Sequence, residues 1–362
     1  MDRMSARAQA SAPTRALTDA WMLGGLRVPN RVLLAPLAGI GNWFVRLQAK
    51  RYGAGMAFSE MVSSHAIHYG NSKTHRELLR IDARERETGP TSIQLFGEDP
   101  AMLRSAASHV ARIGADAIDI NMGCPVTKVC KTGAGAALLE DPDRAVAAAR
   151  ATVEGAAEGA GTRVPVTAKL RSGLRVGEQS GFVLAHRLVE EAGVSAIVFH
   201  PRSAAVQHKG SPDYALAERL VRTLPAPVML SGGLEDAAHV REAFAATGAE
   251  AVMLARGALG NPWLFEELLG ERERPPTRAE VLAELDWTMS CAVEHLGEER
   301  AARYLRKLYP WYITRMEAAA ERKALIARAQ EAQTLAQVRA LLGISESNGT
   351  AERAAGEALP AA

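Results

Sequence analysis

Cysteine is scarce: Cys124, Cys130 and Cys291 are the only three in 362 residues. None stands at metal-ligand spacing, so no metal site is expected, and an odd number excludes a fully paired disulfide framework. Long apolar runs are missing too. No stretch reaches the length that spans a bilayer, and residues 1–18 hold too few long apolar side chains to act as an export signal. Together these absences predict a soluble protein in a reducing cytoplasm. Nor is one charge in excess: 43 Lys and Arg against 41 Asp and Glu leave a formal balance of +2. A nucleic-acid partner would therefore need a local basic surface. Finally, no Gly-x-Gly-x-x-Gly follows the first strand pattern, which argues against a doubly wound dinucleotide-binding sheet.

What is present is apolar material, 48% of the chain, laid out in alternation. Short β-type runs recur at 31–35, 56–59, 91–96, 117–120, 164–170, 196–200, 227–230 and 250–255, with amphipathic helix patterns between them, for example at 100–113, 142–153, 179–192, 213–224 and 236–247. Eight β-then-α units over about 240 residues have the size and order of a TIM barrel. The expected fold is therefore α/β, a TIM (β/α)8 barrel over 19–272. After Pro275-Pro276 the pattern turns to helix only, at 278–294, 299–316 and 319–342, which predicts an all-helical second domain over 277–343. Residues 1–18 and 345–362 lack periodicity and are expected to be disordered tails.

In such a barrel, active residues sit where strands end and βα loops begin. Polar and loop-forming residues collect at those places: Pro36-Leu37-Ala38-Gly39, Glu60, Gln94, Asn121 with Cys124, Lys169 with Arg171, His200 with Arg202, Ser231-Gly232-Gly233, and Arg256-Gly257. No comparable set occurs at the strand starts. The fourth strand runs into Asn121-Met122-Gly123-Cys124-Pro125-Val126-Thr127-Lys128-Val129-Cys130-Lys131. There Gly123 and Pro125 shape the backbone around a thiol, and Lys128 and Lys131 can lower its pKa or hold an anion. Cys124 is the candidate reactive group. Phosphate sites in barrels commonly use the loops after strands seven and eight. Here Ser231-Gly232-Gly233 and Ala255-Arg256-Gly257 supply close backbone approach and a fixed cation.

Three separated motifs in this order carry a family resemblance: Ala35-Pro36-Leu37-Ala38-Gly39, the Asp119–Gly135 stretch, and Ala255-Arg256-Gly257-Ala258-Leu259-Gly260-Asn261-Pro262-Trp263. The chain resembles the tRNA-dihydrouridine synthases, in wording their bacterial branch, strongly over 28–269 and more loosely to about residue 342. The resemblance implies FMN as cofactor, NADPH or NADH as reductant, and uridine in tRNA as substrate. It implies FMN phosphate at Ser231, Gly232, Gly233, Ala255 and Arg256, although the family usually has Asn-Gly-Asp where this chain has Ser-Gly-Gly. It also implies that Pro36, Leu37 and Ala38 lie along the flavin ring and that Gln94 and Lys169 contact it, Lys169 meeting the need for a cation near N1 and the C2 oxygen.

His200 could bind flavin, be satisfied by backbone, or orient Arg202. Hydride at C6 of the uracil leaves C5 to be protonated, and Cys124 is expected to be that general acid. Lys128 and Lys131 would then face RNA phosphates. Asn121 would hold the uracil edge or the flavin, and Arg202 the uracil carbonyls or a phosphate. In the helical domain, Arg303, Arg306 and Lys307 interleave with aromatics, either as an RNA surface or as a solvated face over an aromatic core. Gln207-His208-Lys209-Gly210 departs from the family's aromatic-containing version, and Gly133-Ala134-Gly135 reads as a mobile flap or a rigid turn. A small-molecule flavin reductase of the dihydroorotate dehydrogenase type is the competing enzyme. A non-catalytic RNA-binding barrel is the competing non-enzyme. The tRNA position is not readable, and a monomer is the default expectation.

Overall fold

The computed structural model describes residues 15–161 and 163–344. The tails expected over 1–14 and 345–362 lie outside these. Residues 15–18, assigned to the first tail, are tied down instead: Arg15 Nη1 donates to Gly248 O (2.9 Å) and pairs with Glu250, while buried Leu17 accepts from Arg31 N–H (2.8 Å). One apolar side chain and one ion pair hold a stretch too short to show a period. The chain divides into two compact units between Pro275 and Pro276.

In the first unit, eight parallel strands close into a barrel. They are β3 (Val32–Leu34), β4 (Met56–Ser63), β5 (Thr91–Phe96), β6 (Ala117–Met122), β7 (Val166–Arg171), β8 (Ala196–His200), β9 (Val228–Ser231) and β10 (Ala251–Leu254), with β10 pairing β3. Each overlaps a predicted run, because strands buried on both faces read as near-continuous apolar segments. Helices between them start where Asp99, Asp141, Asp213 and Asp236 accept backbone N–H bonds, and three end on left-handed Gly161, Gly193 and Gly248.

An additional hairpin, β1 (Trp21–Leu23) with β2 (Leu26–Val28), precedes the barrel. Its Trp21, Leu23 and Val28 belong to the same buried cluster as Leu33, Met56, Ala117, Ala196 and Met253. A Cβ on Gly24 would lie 3.3 Å from Pro165 and 3.5 Å from Ser195, just before β7 and β8, so the hairpin seals the strand-start end. Strand β4 runs four residues past its predicted end. Its register slips between Phe58 and Met61, the kind of irregularity that re-aims a side chain near a site.

Helix Trp43–Arg51 buries two cations. Arg46 (1% exposed) bonds Glu85 (0%) through two N–H···O contacts of 2.8 and 2.9 Å, and donates to Gly41 O (3.0 Å) and Arg80 O (2.7 Å). Because Gly41 N–H in turn donates to Leu37 O (2.7 Å), this pair anchors the loop after β3. Removing one partner strands a charge in the core, so Arg46→Ala should lower unfolding free energy by about 3–5 kcal/mol, read by denaturant titration. A loss under 1 kcal/mol would show that water reaches Glu85.

The second unit consists of helices Arg278–Leu296, Glu298–Leu305, Tyr309–Met316, Ala319–Glu331 and Leu335–Leu342. The single middle helix expected over 299–316 is broken. Pro310 has no N–H to offer Arg306 O, which accepts from Gln330 Nε2 instead (3.3 Å). The last predicted helix is likewise split, where Thr334 and Gln337 form a capping box. No helix among the described residues is long and apolar enough to cross a membrane.

Candidate active site

A cavity of about 380 Å³ opens at the C-terminal ends of the strands, and all eight barrel strands or the loops following them contribute to its wall. Every barrel residue expected at the cofactor lines it: Pro36, Leu37, Ala38, Gln94, Lys169, His200, Ser231, Gly232, Gly233, Ala255 and Arg256. So do Asn121, Cys124 and Arg202. Lys128 and Lys131 do not. They are exposed on and just after the short helix Thr127–Cys130, outside the cavity wall.

The floor is a hydrogen-bonded chain. Asp119 on β6 accepts from Thr167 Oγ1 (β7) and from Gln94 Nε2 (2.6 Å, β5). Gln94 Oε1 accepts from Asn121 Nδ2 (2.9 Å), and Asn121 Oδ1 accepts the backbone N–H of Cys124 (2.9 Å) and of Gly123 (3.3 Å). The expected polar contacts of Asn121 and Gln94 are thus largely spent inside the protein. Gln94 keeps one Nε2 hydrogen and one Oε1 lone pair for a ligand, whereas Asn121 can offer only the Nδ2 hydrogen that now lies on the thioether of Met61 (3.7 Å). Lys169 pairs in register with Asn121. Burial pushes the Lys169 ammonium down and the Asp119 carboxyl up, and the attraction between them opposes both shifts.

Cys124 sits at the rim. Burial pushes its thiol above the ordinary value of 9.0, against the lowering pull of the Val126 backbone, Arg171 and Lys169. Lys128 and Lys131, which could have lowered the thiol pKa or held an anion, are exposed beyond the cavity wall, and the cations that act on the thiol are Arg171 and Lys169. Ala136 N–H donates to Cys124 O (3.0 Å) between buried Ala134 and Ala136, so the 133–135 segment packs as a turn against the cysteine. Alkylation of Cys124 by iodoacetamide, followed by peptide mass, should accordingly be slow at pH 7 with a midpoint above 9. A midpoint below 7 would mean a resting thiolate and no proton to give.

Around the mouth, Arg202 donates through Nε and Nη2 to Gly210 O (3.1 and 2.7 Å) and lies 3.3 Å from His200 Nε2. A guanidinium only donates, so His200 accepts there and carries its proton on Nδ1. Of the three roles open to His200, the contact with Arg202 is present, and the ring also lines the cavity where a flavin would bind. Burial, with Lys169, Arg171 and Arg202 nearby, holds it neutral. The ring also explains Gly232: a Cβ there would come within 2.2 Å of it, and the residue takes φ +96°. Arg256 bonds Glu235 (3.0 Å) on the adjoining glycine loop.

Three residues in or under the wall carry no role in the sequence reading. Arg171 clamps two rim loops, donating to Gly123 O (2.9 Å), Ser203 O (3.1 Å) and Gln207 O (2.8 Å). His208 stacks near His200, with centroids 6.3 Å apart. Asp119 was hidden in an apolar strand, although a carboxylate inside such a run is itself a signal of a paired buried group.

In the helical unit, Tyr309 and Tyr312 are 1% exposed, and Tyr312 OH lies 3.0 Å from Thr288 Oγ1. These two rings are core, not stacking platforms. Arg306 donates to Ala332 O (3.0 Å) and Gln333 Oε1 (3.3 Å), whereas Arg303 and Lys307 are exposed.

The model of one family, described as dihydrouridine synthase, matches residues 33–344. The tRNA-dihydrouridine synthase B of Pseudomonas aeruginosa is 35% identical across 91% of this chain and 97% of its own; that of Xanthomonas axonopodis pv. citri is 34% identical across 85% and 91%. Among solved structures, a morphinone reductase mutant in complex with tetrahydroNAD aligns at TM-score 0.52 and 17% identity, covering 74% of this chain and 94% of that one. The 6-hydroxypseudooxynicotine amine oxidase of Pseudomonas geniculata aligns at 0.54 and 14%, covering 71% and 49%. Those two likenesses are of fold. With the family model spanning the barrel and the helices beyond it, and relatives a third identical over nearly their whole lengths, the chain belongs to the dihydrouridine synthase family.

Proposed function

We propose that this protein reduces the C5–C6 bond of uridine in tRNA to dihydrouridine, with FMN as resident cofactor and NADPH as the reductant. The observation that supports this most is a thiol kept protonated by burial at the rim of a cavity whose floor presents amide N–H groups and a lysine. That donor set suits a flavin. Lys169 would meet the N1–C2 oxygen edge, Gln94 the ring's lone pairs, the Pro36–Ala38 backbone the ring face, and Ser231–Gly233 with Arg256 the phosphate. Ser231-Gly232-Gly233 lacks the family's usual carboxylate, and Glu235 supplies one nearby, already paired with Arg256.

Bound FMN supplies the hydride that reaches C6 of the base. Cys124 donates its proton to C5, and Lys169 and Arg171 then offset the thiolate until solvent reprotonates it. The amide N–H of Asn121 and the guanidinium of Arg202 are the donors available for uracil oxygens. A paired, stacked base cannot reach a barrel mouth, so the target is a loop or flipped uridine. Lys128 and Lys131 beyond the cavity wall, and Arg303 (shared with Glu299) and Lys307 on the helical unit, are exposed cations offered to phosphates; Arg306, held by Ala332 O and the Gln333 side chain, contributes least.

The test is nucleoside mass spectrometry of tRNA lacking dihydrouridine after incubation with purified protein, FMN and NADPH. A two-hydrogen gain on uridine is expected. No gain, despite a bound and reducible flavin, would sink this reading in favour of a small-molecule reductase.

A further inference from the structure

Asp119 has no part in the proposed hydride or proton transfer, yet it is 0% exposed and lies at the base of the chain that ends on Cys124. The two ends of that chain set its hydrogen-bonding sense. Backbone N–H of Gly123 and Cys124 can only donate, and at the other end Asp119 accepts from both Gln94 Nε2 and Thr167 Oγ1. Between them stand two amides, Gln94 and Asn121, each of which could be turned end for end. With Asp119 below, Gln94 points Nε2 down (2.6 Å) and Oε1 up; Asn121 then gives Nδ2 to that oxygen (2.9 Å) and turns Oδ1 to the cysteine N–H (2.9 Å).

We propose that Asp119 is a positioning residue which, by fixing the sense of this relay across β5 and β6, holds the backbone turn that carries Cys124. The same polarity decides what the cavity can accept. Asn121 Oδ1 is consumed by two backbone N–H groups, so Asn121 can offer a ligand only the N–H that now lies on the Met61 thioether, whereas Gln94 keeps one N–H and one lone pair. At Asn121 the floor therefore selects ligand atoms with lone pairs, such as carbonyl oxygens, and disfavours ligand donors. Thr167 Oγ1 supplies the second bond to Asp119 from β7 and keeps the carboxylate from rotating.

Hydrogen–deuterium exchange at the Gly123 and Cys124 amides reads the top of the relay directly, without substrate or turnover, so its result is separate from whether the chain reduces uridine. Exchange in the full-length protein should quicken about tenfold or more in Asp119→Leu, which leaves Gln94 Nε2 without an acceptor, and in Gln94→Glu, which sets acceptor against acceptor. Peptides from β8 and β10 should stay protected in both. The double variant Gln94→Glu with Asp119→Asn restores every bond in the relay: Asn at 119 donates to Glu at 94, which accepts from Asn121. Its Gly123 and Cys124 amides should return to wild-type exchange. If Asp119→Leu leaves those two amides protected, or the double variant exchanges as fast as Gln94→Glu alone, Asp119 does not orient the turn. Should Asp119→Leu fail to fold, comparing Gln94→Glu with the double variant decides the matter alone.

Discussion

Cys124→Ala should lower dihydrouridine formation by roughly 10²–10⁴-fold, the range removed with a positioned general acid, while flavin content and flavin reduction by NADPH stay at wild-type levels. Cys124 lines the cavity from the rim, and its nearest backbone partners, Asn121 Oδ1 and Ala136 N–H, bond main chain and survive the truncation. Serine restores the volume but not the acidity, so Cys124→Ser should recover little. The sign of the pH dependence follows from burial raising the thiol. A donor must hold its proton, so the thiol adds a fall in rate as pH rises through its pKa, above the ordinary 9.0 and beyond the loss of the Lys169 charge near 8. In Cys124→Ala the higher of these two alkaline limbs should vanish. The outcome that would remove Cys124 from the mechanism is a variant with full nucleoside yield and an unchanged profile.

Lys169→Met is the second large effect expected. Lys169 is half-buried on β7, and desolvation pushes its ammonium down to about 8, against Asp119, which pulls it up. At neutral pH the charge is present, and it faces the cavity with amide N–H groups beside it. A charge-assisted hydrogen bond is worth about 1.5–3 kcal/mol, so methionine should weaken flavin binding roughly 10–100-fold, measured by quenching of flavin fluorescence. Reduction of whatever flavin binds should slow as well, because negative charge then develops without a partner. Wild-type affinity in Lys169→Met would place the cofactor elsewhere in the cavity.

The barrel was legible because its strands are buried on both faces and its helices carry Asp caps and Gly stops, signals that act within a few residues. The site was legible for a related reason: glycines, a thiol and cations have no packing motive at the ends of apolar strands. What stayed hidden depended on partners remote in sequence. The Trp21–Val28 hairpin could have been read from Gly24-Gly25 between alternating apolar residues, but its strands are three residues each. Arg46 and Lys50 look like the solvent face of a helix until Glu85 and Thr91 are seen beside them. Tyr309 and Tyr312 suited an RNA surface until burial showed them as core. Pro310, whose missing N–H bars it from a helix interior, is the local signal that splits the middle helix just before it.

The pleat of β6 places Asp119 and Asn121 on one face and Ile118 and Ile120 on the other, because successive side chains alternate. Insertion or loss of one residue between Ala117 and Met122 would exchange the two sets, sending the carboxylate and the amide outward and bringing isoleucine to the cavity. The loops that follow the strands carry no such periodicity. Chain length in this protein can therefore drift at the rim over generations, while the strands behave as a reading frame in which a single slip erases the site.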